Sequence, residues 1–122
     1  MHELSICQAL IAQVEQIARE RSAQVRHVLV GLGPLSGIEP RLLQDAYPLA
    51  SAGTRAERSQ LAIKTIDIRV RCRFCGAETV AKPNRLVCGA CGDWHTELLA
   101  GDEMLLLTVE LETDEDAEVA HE

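Results

Sequence analysis

Four of the five cysteines fall as Cys72-x2-Cys75 and Cys88-x2-Cys91, with twelve residues between the pairs. Two such turns can set four thiolates at the corners of a tetrahedron, each sulfur about 2.3 Å from a central ion, the geometry zinc accepts most readily. Glycine follows each pair, at Gly76 and Gly92, and Gly89 lies inside the second; glycine permits the left-handed backbone such turns use. Four thiolates leave no open coordination position, so this zinc is expected to hold shape rather than act as a Lewis acid. A Cys-x-x-Cys redox pair is the competing reading. In the reducing compartment expected for this chain, structural disulfides are not.

A second constellation lies at the amino terminus, where the chain reads Met1-His2-Glu3. The α-amine of Met1, the deprotonated backbone amide of His2 and the His2 imidazole Nδ1 can close a five-membered and then a six-membered chelate ring. Three nitrogens then share a plane, which suits Ni(II) or Cu(II), and the fourth corner stays open. A bulky second residue such as His2 disfavours removal of the initiator methionine, which this chelate requires.

The remaining reactive residues carry less. Cys7 falls on a helical apolar stripe and reads as a small buried hydrophobe. His27 sits within a strand as a surface or edge side chain rather than a ligand, and His121 lies among carboxylates near the end of the chain. Lys64, Arg69, Arg71, Arg73, Lys82 and Arg85 outnumber Asp67 and Glu78 around the cysteines. That patch supports an alternative, a zinc ribbon binding nucleic acid or an acidic protein surface. Against nucleic acid stand a neutral body, an acidic end and a lack of stacking platforms, since Phe74, Tyr47 and Trp94 are the only aromatics. No Ser-His-Asp set, phosphate loop or open metal site is visible, so the chain is not expected to be an enzyme.

The elements that must position these groups follow from periodicity. From Leu4 to about Arg21, Cys7, Leu10, Ile11, Val14, Ile17 and Ala18 recur at the spacing of an amphipathic helix. Val25 to Leu32 is β-branched and apolar and stops at Gly31-Leu32-Gly33-Pro34, which predicts a strand. Ile38-Glu39-Pro40 opens a second helix with proline at its first position, and Pro48 should kink or shorten it. Gln60 to Val70 alternates as a second strand running directly into Cys72, and Met104 to Leu111 alternates as a third. The two strands flanking the cysteines are expected to lie side by side, antiparallel.

Length and composition agree with such a small domain: 122 residues, 47% hydrophobic and 25% charged. No run approaches the ~20 apolar residues of a membrane span, and the start lacks a secretory pattern, so a cytoplasmic protein without membrane insertion is expected. The net charge of −7 resides in Glu110, Glu112, Asp114, Glu115, Asp116, Glu118 and Glu122; the rest of the chain balances. This acidic end is expected to be solvated and disordered. The fold class is α+β: a two-helix, three-stranded, mainly antiparallel sheet domain over 1–70 plus 103–112, an inserted four-cysteine zinc ribbon over 71–102, and an acidic tail over 113–122.

Met1-His2-Glu3-Leu4-Ser5, Gly31-Leu32-Gly33-Pro34-Leu35-Ser36, the paired cysteines and Gly101-Asp102-Glu103 occur in that order. In this the sequence resembles the HypA/HybF family of hydrogenase nickel-maturation proteins over residues 1 to about 112. The resemblance implies a nickel metallochaperone, with Ni(II) as transferred cargo bound through His2 and Glu3 adjacent. It also implies structural zinc on Cys72, Cys75, Cys88 and Cys91. Glu39 matches an acidic position associated with the nickel site, and His95, after the second cysteine pair, is a candidate fourth corner. The implied partners are the nickel-binding GTPase HypB and the hydrogenase large-subunit precursor, with the chain itself a monomer or weak dimer.

Overall fold

Cys7, Leu10, Ile11, Val14 and Ala18 share one face at helical spacing, and all five are buried on helix α1, Glu3–Glu20. Burying Leu10, Ile11 and Val14 contributes about 1.5–3 kcal/mol each. The helix ends where the Arg21 and Ser22 N–H groups close onto the Ala18 and Arg19 carbonyls. Helix α2, Pro40–Ser51, packs against it through Leu43 and Tyr47. Pro40 opens α2 as expected, but Pro48 does not end it: the helix continues for three more residues. Only one intrahelical bond is forfeited there, near the carboxyl end. The computed structural model describes residues 2–113; the Met1 amine and the acidic end from Asp114 on lie outside the described residues.

Both helices belong to one of two compact units, formed by Met1–Val30, Glu39–Ile63 and the chain from Leu106 onward. Its sheet has the order β2-β1-β6, with β1 at Ala23–Leu32, β2 at Gln60–Thr65 and β6 at Met104–Thr113. The expectation that the strands on either side of the cysteines lie side by side is corrected here, because β1 separates them. The physical reason is burial: Val25, Val28, Val30 and Leu32 are all buried, whereas β2 buries one residue and β6 none. The most buried strand takes the centre, where neighbours on both edges pair its backbone. Burial on β1 shifts parity at Arg26-His27, both exposed, so His27 faces out of a central strand.

The second unit comprises Gly31–Ile38 and Lys64–Leu105. The strand expected over Gln60–Val70 is in fact two, β2 and then β3 at Ile68–Cys72, in different sheets. The Ile66 N–H donates to the Leu32 carbonyl, and Ile66 and Asp67 lie outside both strands. Beyond it, β3 pairs antiparallel with β4 (Glu78–Ala81) and β5 (Thr96–Ala100) in the order β4-β3-β5. The cysteines thus hang from a sheet rather than from bare loops, and β5 was not visible in the periodicity.

The glycine segments meet within this unit. The Gly33 N–H donates to the Glu103 carbonyl, the Leu35 N–H donates to the Gly101 carbonyl, and the Glu103 carboxylate accepts from the Gly101 N–H. A Cβ on Gly33 would lie 2.1 Å from the Gly101 oxygen, inside backbone that has no room to yield. We therefore expect Gly33→Ala to destabilise the protein by about 3 kcal/mol or more. Urea unfolding, comparing midpoints at constant m-value, checks it.

Candidate metal centres

The ends of β3 and β5 and the turns beyond them bring the four cysteine sulfurs within 4.8 Å of one another. Cys72 Sγ lies 3.7 Å from Cys91 Sγ, and Cys75 Sγ lies 3.6 Å from Cys88 Sγ. A tetrahedron with metal–sulfur bonds of about 2.3 Å has edges of about 3.8 Å, so these separations suit one zinc ion. Both turns are built alike. The Phe74 and Cys75 N–H groups donate to Cys72 Sγ at 3.3 Å, and the Ala90 and Cys91 N–H groups to Cys88 Sγ at 3.3 and 3.4 Å. Gly76 and Gly92 close the two turns with the same left-handed φ of 79°. Donors aimed at sulfur favour the thiolate. The Cys91 and then the Ala90 N–H draw the Cys88 thiol down to about 6, and the Cys75 N–H is the largest influence lowering Cys72.

The donor set therefore fits zinc by number and spacing. Zinc in four thiolates supplies a cross-link, without an open position for substrate. Cys72 and Cys88 are buried, whereas Cys75 and Cys91 are exposed. Cys7 stands elsewhere, buried in the helical unit with its thiol donating to the Leu43 carbonyl.

At the other candidate centre, His2 caps the amino end of α1 through its backbone, and its carbonyl accepts from the Ile6 N–H. Its side chain makes no capping bond and is exposed. Glu3 is the opposite case: it is 6% exposed, and its Oε2 accepts the Glu39 N–H at 3.2 Å. The amino-terminal charge and then that N–H hold its carboxyl down at about 2, so Glu3 is ionised throughout the neutral range. This link ties the first turn of α1 to the start of α2. It runs through the Glu39 backbone, while the Glu39 carboxylate accepts from the Arg41 N–H as the α2 cap.

His95 belongs to the cysteine-bearing unit, where it is exposed. Its Nδ1 lies 2.7 Å from Asp93 Oδ1, and its ring stacks on Trp94 at 3.7 Å. Of all the candidates, only the four cysteines form a ready set of three or more His, Cys, Asp or Glu ligand atoms among the described residues. The Glu3–Glu39 link had no signal in periodicity or spacing, since it joins residues far apart in the chain; the Asp93–His95–Trp94 cluster is local, with the His95 N–H donating to Asp93 Oδ1. Two members of the basic patch are compensated: Arg71 reaches Glu97 at 2.8 Å and Glu78 at 3.4 Å, and Arg73 reaches Glu97 at 3.8 Å.

Comparison with known proteins places these features together. A family model described as "Hydrogenase/urease nickel incorporation, metallochaperone, hypA" matches residues 1–111. The chain is 49% identical over 114 residues to the hydrogenase maturation factor HypA of Nitrosospira multiformis, covering 93% of this chain and 99% of that one. It is 38% identical over 115 residues to the HypA of Aquifex aeolicus, covering 93% and 100%. In three dimensions it is similar to the solution structure of the nickel metallochaperone HypA from Helicobacter pylori, with a TM-score of 0.72, 26% identity and coverage of 93% and 100%.

Proposed function

The chain belongs to the HypA family, and from that membership we propose that it carries Ni(II) on its amino terminus and delivers it to a [NiFe]-hydrogenase large-subunit precursor. The observation that carries this reading is the match across residues 1–111, which includes the exposed, uncommitted imidazole of His2. Nickel is cargo here, held by the Met1 amine, the His2 amide nitrogen and the His2 imidazole. A planar nitrogen site with a free corner lets an acceptor ligand enter before the ion leaves. A closed four-thiolate cage offers no such entrance.

The division of labour follows: the unit bearing His2 handles nickel, and Cys72, Cys75, Cys88 and Cys91 hold zinc to keep the second unit folded. Glu3 steadies the site by fixing the first turn of α1 on α2. Glu39 contributes to the same end through its backbone, and His95, with Nδ1 engaged by Asp93, offers Nε2 as a candidate fourth donor. The partners in this reading are the nickel-binding GTPase HypB as source and the hydrogenase precursor as acceptor. The setting is the cytoplasm and the carrier a monomer or weak dimer. Among the described residues no helix is long and apolar enough to cross a membrane.

The test is direct transfer. Protein loaded with one equivalent of nickel is mixed with purified, nickel-free hydrogenase precursor, and metal is measured in each after separation. Nickel should move to the precursor from the native chain, and a loaded chain that keeps its nickel in the presence of precursor overturns the reading.

A further inference from the structure

In the cysteine-bearing unit, β4 is an edge strand of its sheet, and the chain returns past it on the way to the second cysteine pair. Between the two lies a cleft of about 210 Å³ lined by Val80, Ala81, Lys82, Arg85, Val87 and Gly89. Its apolar part is aliphatic, with Val80 53% exposed. Lys82 and Arg85 flank the turn that joins the two sides, bridged to each other through the backbone. No acid lines this cleft.

Formal charge counting hides this feature. Within residues 71–97 the acids are Glu78, Asp93 and Glu97. Glu78 and Glu97 are engaged by Arg71 and Arg73, and Asp93 by His95. Lys82 and Arg85 are exposed and form no ion pair with any described residue. The uncompensated charge in that stretch is therefore positive, and it is concentrated beside exposed aliphatic surface.

We propose that this cleft docks an extended, acidic segment of a partner protein, with an aliphatic side chain against Val80 and Val87 and carboxylates against Lys82 and Arg85. Apolar contact supplies adhesion without choosing a partner, and the two cations supply the choice. An extended chain is the shape that lies alongside an edge strand. The site uses no residue proposed to hold nickel, so it stands or falls separately from the nickel reading.

The probe is a fluorescein-labelled hexapeptide alternating glutamate and valine, titrated with zinc-loaded, full-length protein and followed by anisotropy. Saturable binding is expected, weakened about fivefold by each of Lys82→Glu and Arg85→Glu. Lys64→Glu, a charge reversal outside the cleft, should leave it unchanged, as should His2→Ala. Zinc content measured in every variant separates lost docking from lost folding. The proposal is overturned if the peptide does not bind, if Lys64→Glu weakens it as much as the cleft variants, or if a lysine–valine peptide binds equally. It is also overturned if neutralising Asp114, Glu115, Asp116 and Glu118 to their amides raises affinity tenfold or more, which would assign the cleft to the chain's own acidic end.

Discussion

His2→Ala should lower nickel affinity by about a hundredfold or more, with one zinc per chain retained. Changing a group that merely supports a metal ligand already costs about 10–100-fold in affinity, and the imidazole is proposed as a ligand itself. Among the described residues, the one set of three or more metal-ligand atoms is the four cysteines, which the proposal assigns to zinc. Adding Gly-Ser before Met1 should produce a similar loss without altering any side chain, because it moves the amine out of chelate range; a single added residue would instead place the imidazole third and close a four-nitrogen chelate. Calorimetric titration of untagged protein, with zinc measured in parallel, reads both. The pH dependence has a definite sign. Nickel must displace protons from the amine, ordinarily titrating near 7.7–8.0, and from the backbone amide, so uptake should fall as pH drops from about 8 to 6. Glu3 does not titrate in that window, since the amino-terminal charge and the Glu39 N–H hold its carboxyl at about 2. A His2→Ala protein that binds nickel as tightly as the native chain would sink the carrier assignment.

How much of this was legible in the sequence depends on the range of the interaction concerned. α1 was readable because Cys7, Leu10, Ile11, Val14 and Ala18 encode one buried face within a single segment. The four cysteines were readable because ligand spacing is local within each pair. The division of Gln60–Val70 was also present but misread. Leu61 is buried and Ile63 half-buried on odd positions, whereas Ile68 and Val70 are buried on even ones, a parity change that one continuous strand cannot have. What stayed hidden were contacts between segments distant along the chain. The Gly33–Gly101 approach, the Glu3–Glu39 hydrogen bond and the Arg71–Glu97 pair each need the fold to exist before the partners meet. The last of these also narrows the basic patch, because Arg71 and Arg73, free when counted in the sequence, are paired in the structure.

Removing zinc should unfold the cysteine-bearing unit while leaving the helical one standing. The asymmetry follows from what each unit buries. The helical unit has Leu10, Ile11, Val14, Val25, Val28, Val30, Leu43 and Tyr47 buried together with smaller side chains. Over residues 64–105 the buried hydrophobic side chains are Ile68, Val70, Cys72 and Cys88, two of them zinc ligands. Even with Leu32 from the unit's other segment, three buried aliphatic side chains are a small core for the 50 residues of this unit. Structural zinc binding contributes on the order of 10–16 kcal/mol, so the metal decides whether this unit exists. Hydrogen exchange after chelation should show the amides of β3, β4 and β5 exchanging at unfolded-chain rates, with α1 and the centre of β1 still protected. Cys88→Ser should give the same pattern without chelator, whereas Cys7→Ser should leave zinc content unchanged. Persistent protection of β3 in zinc-free protein would mean that the sheet holds itself together, and the cysteines would then need another purpose.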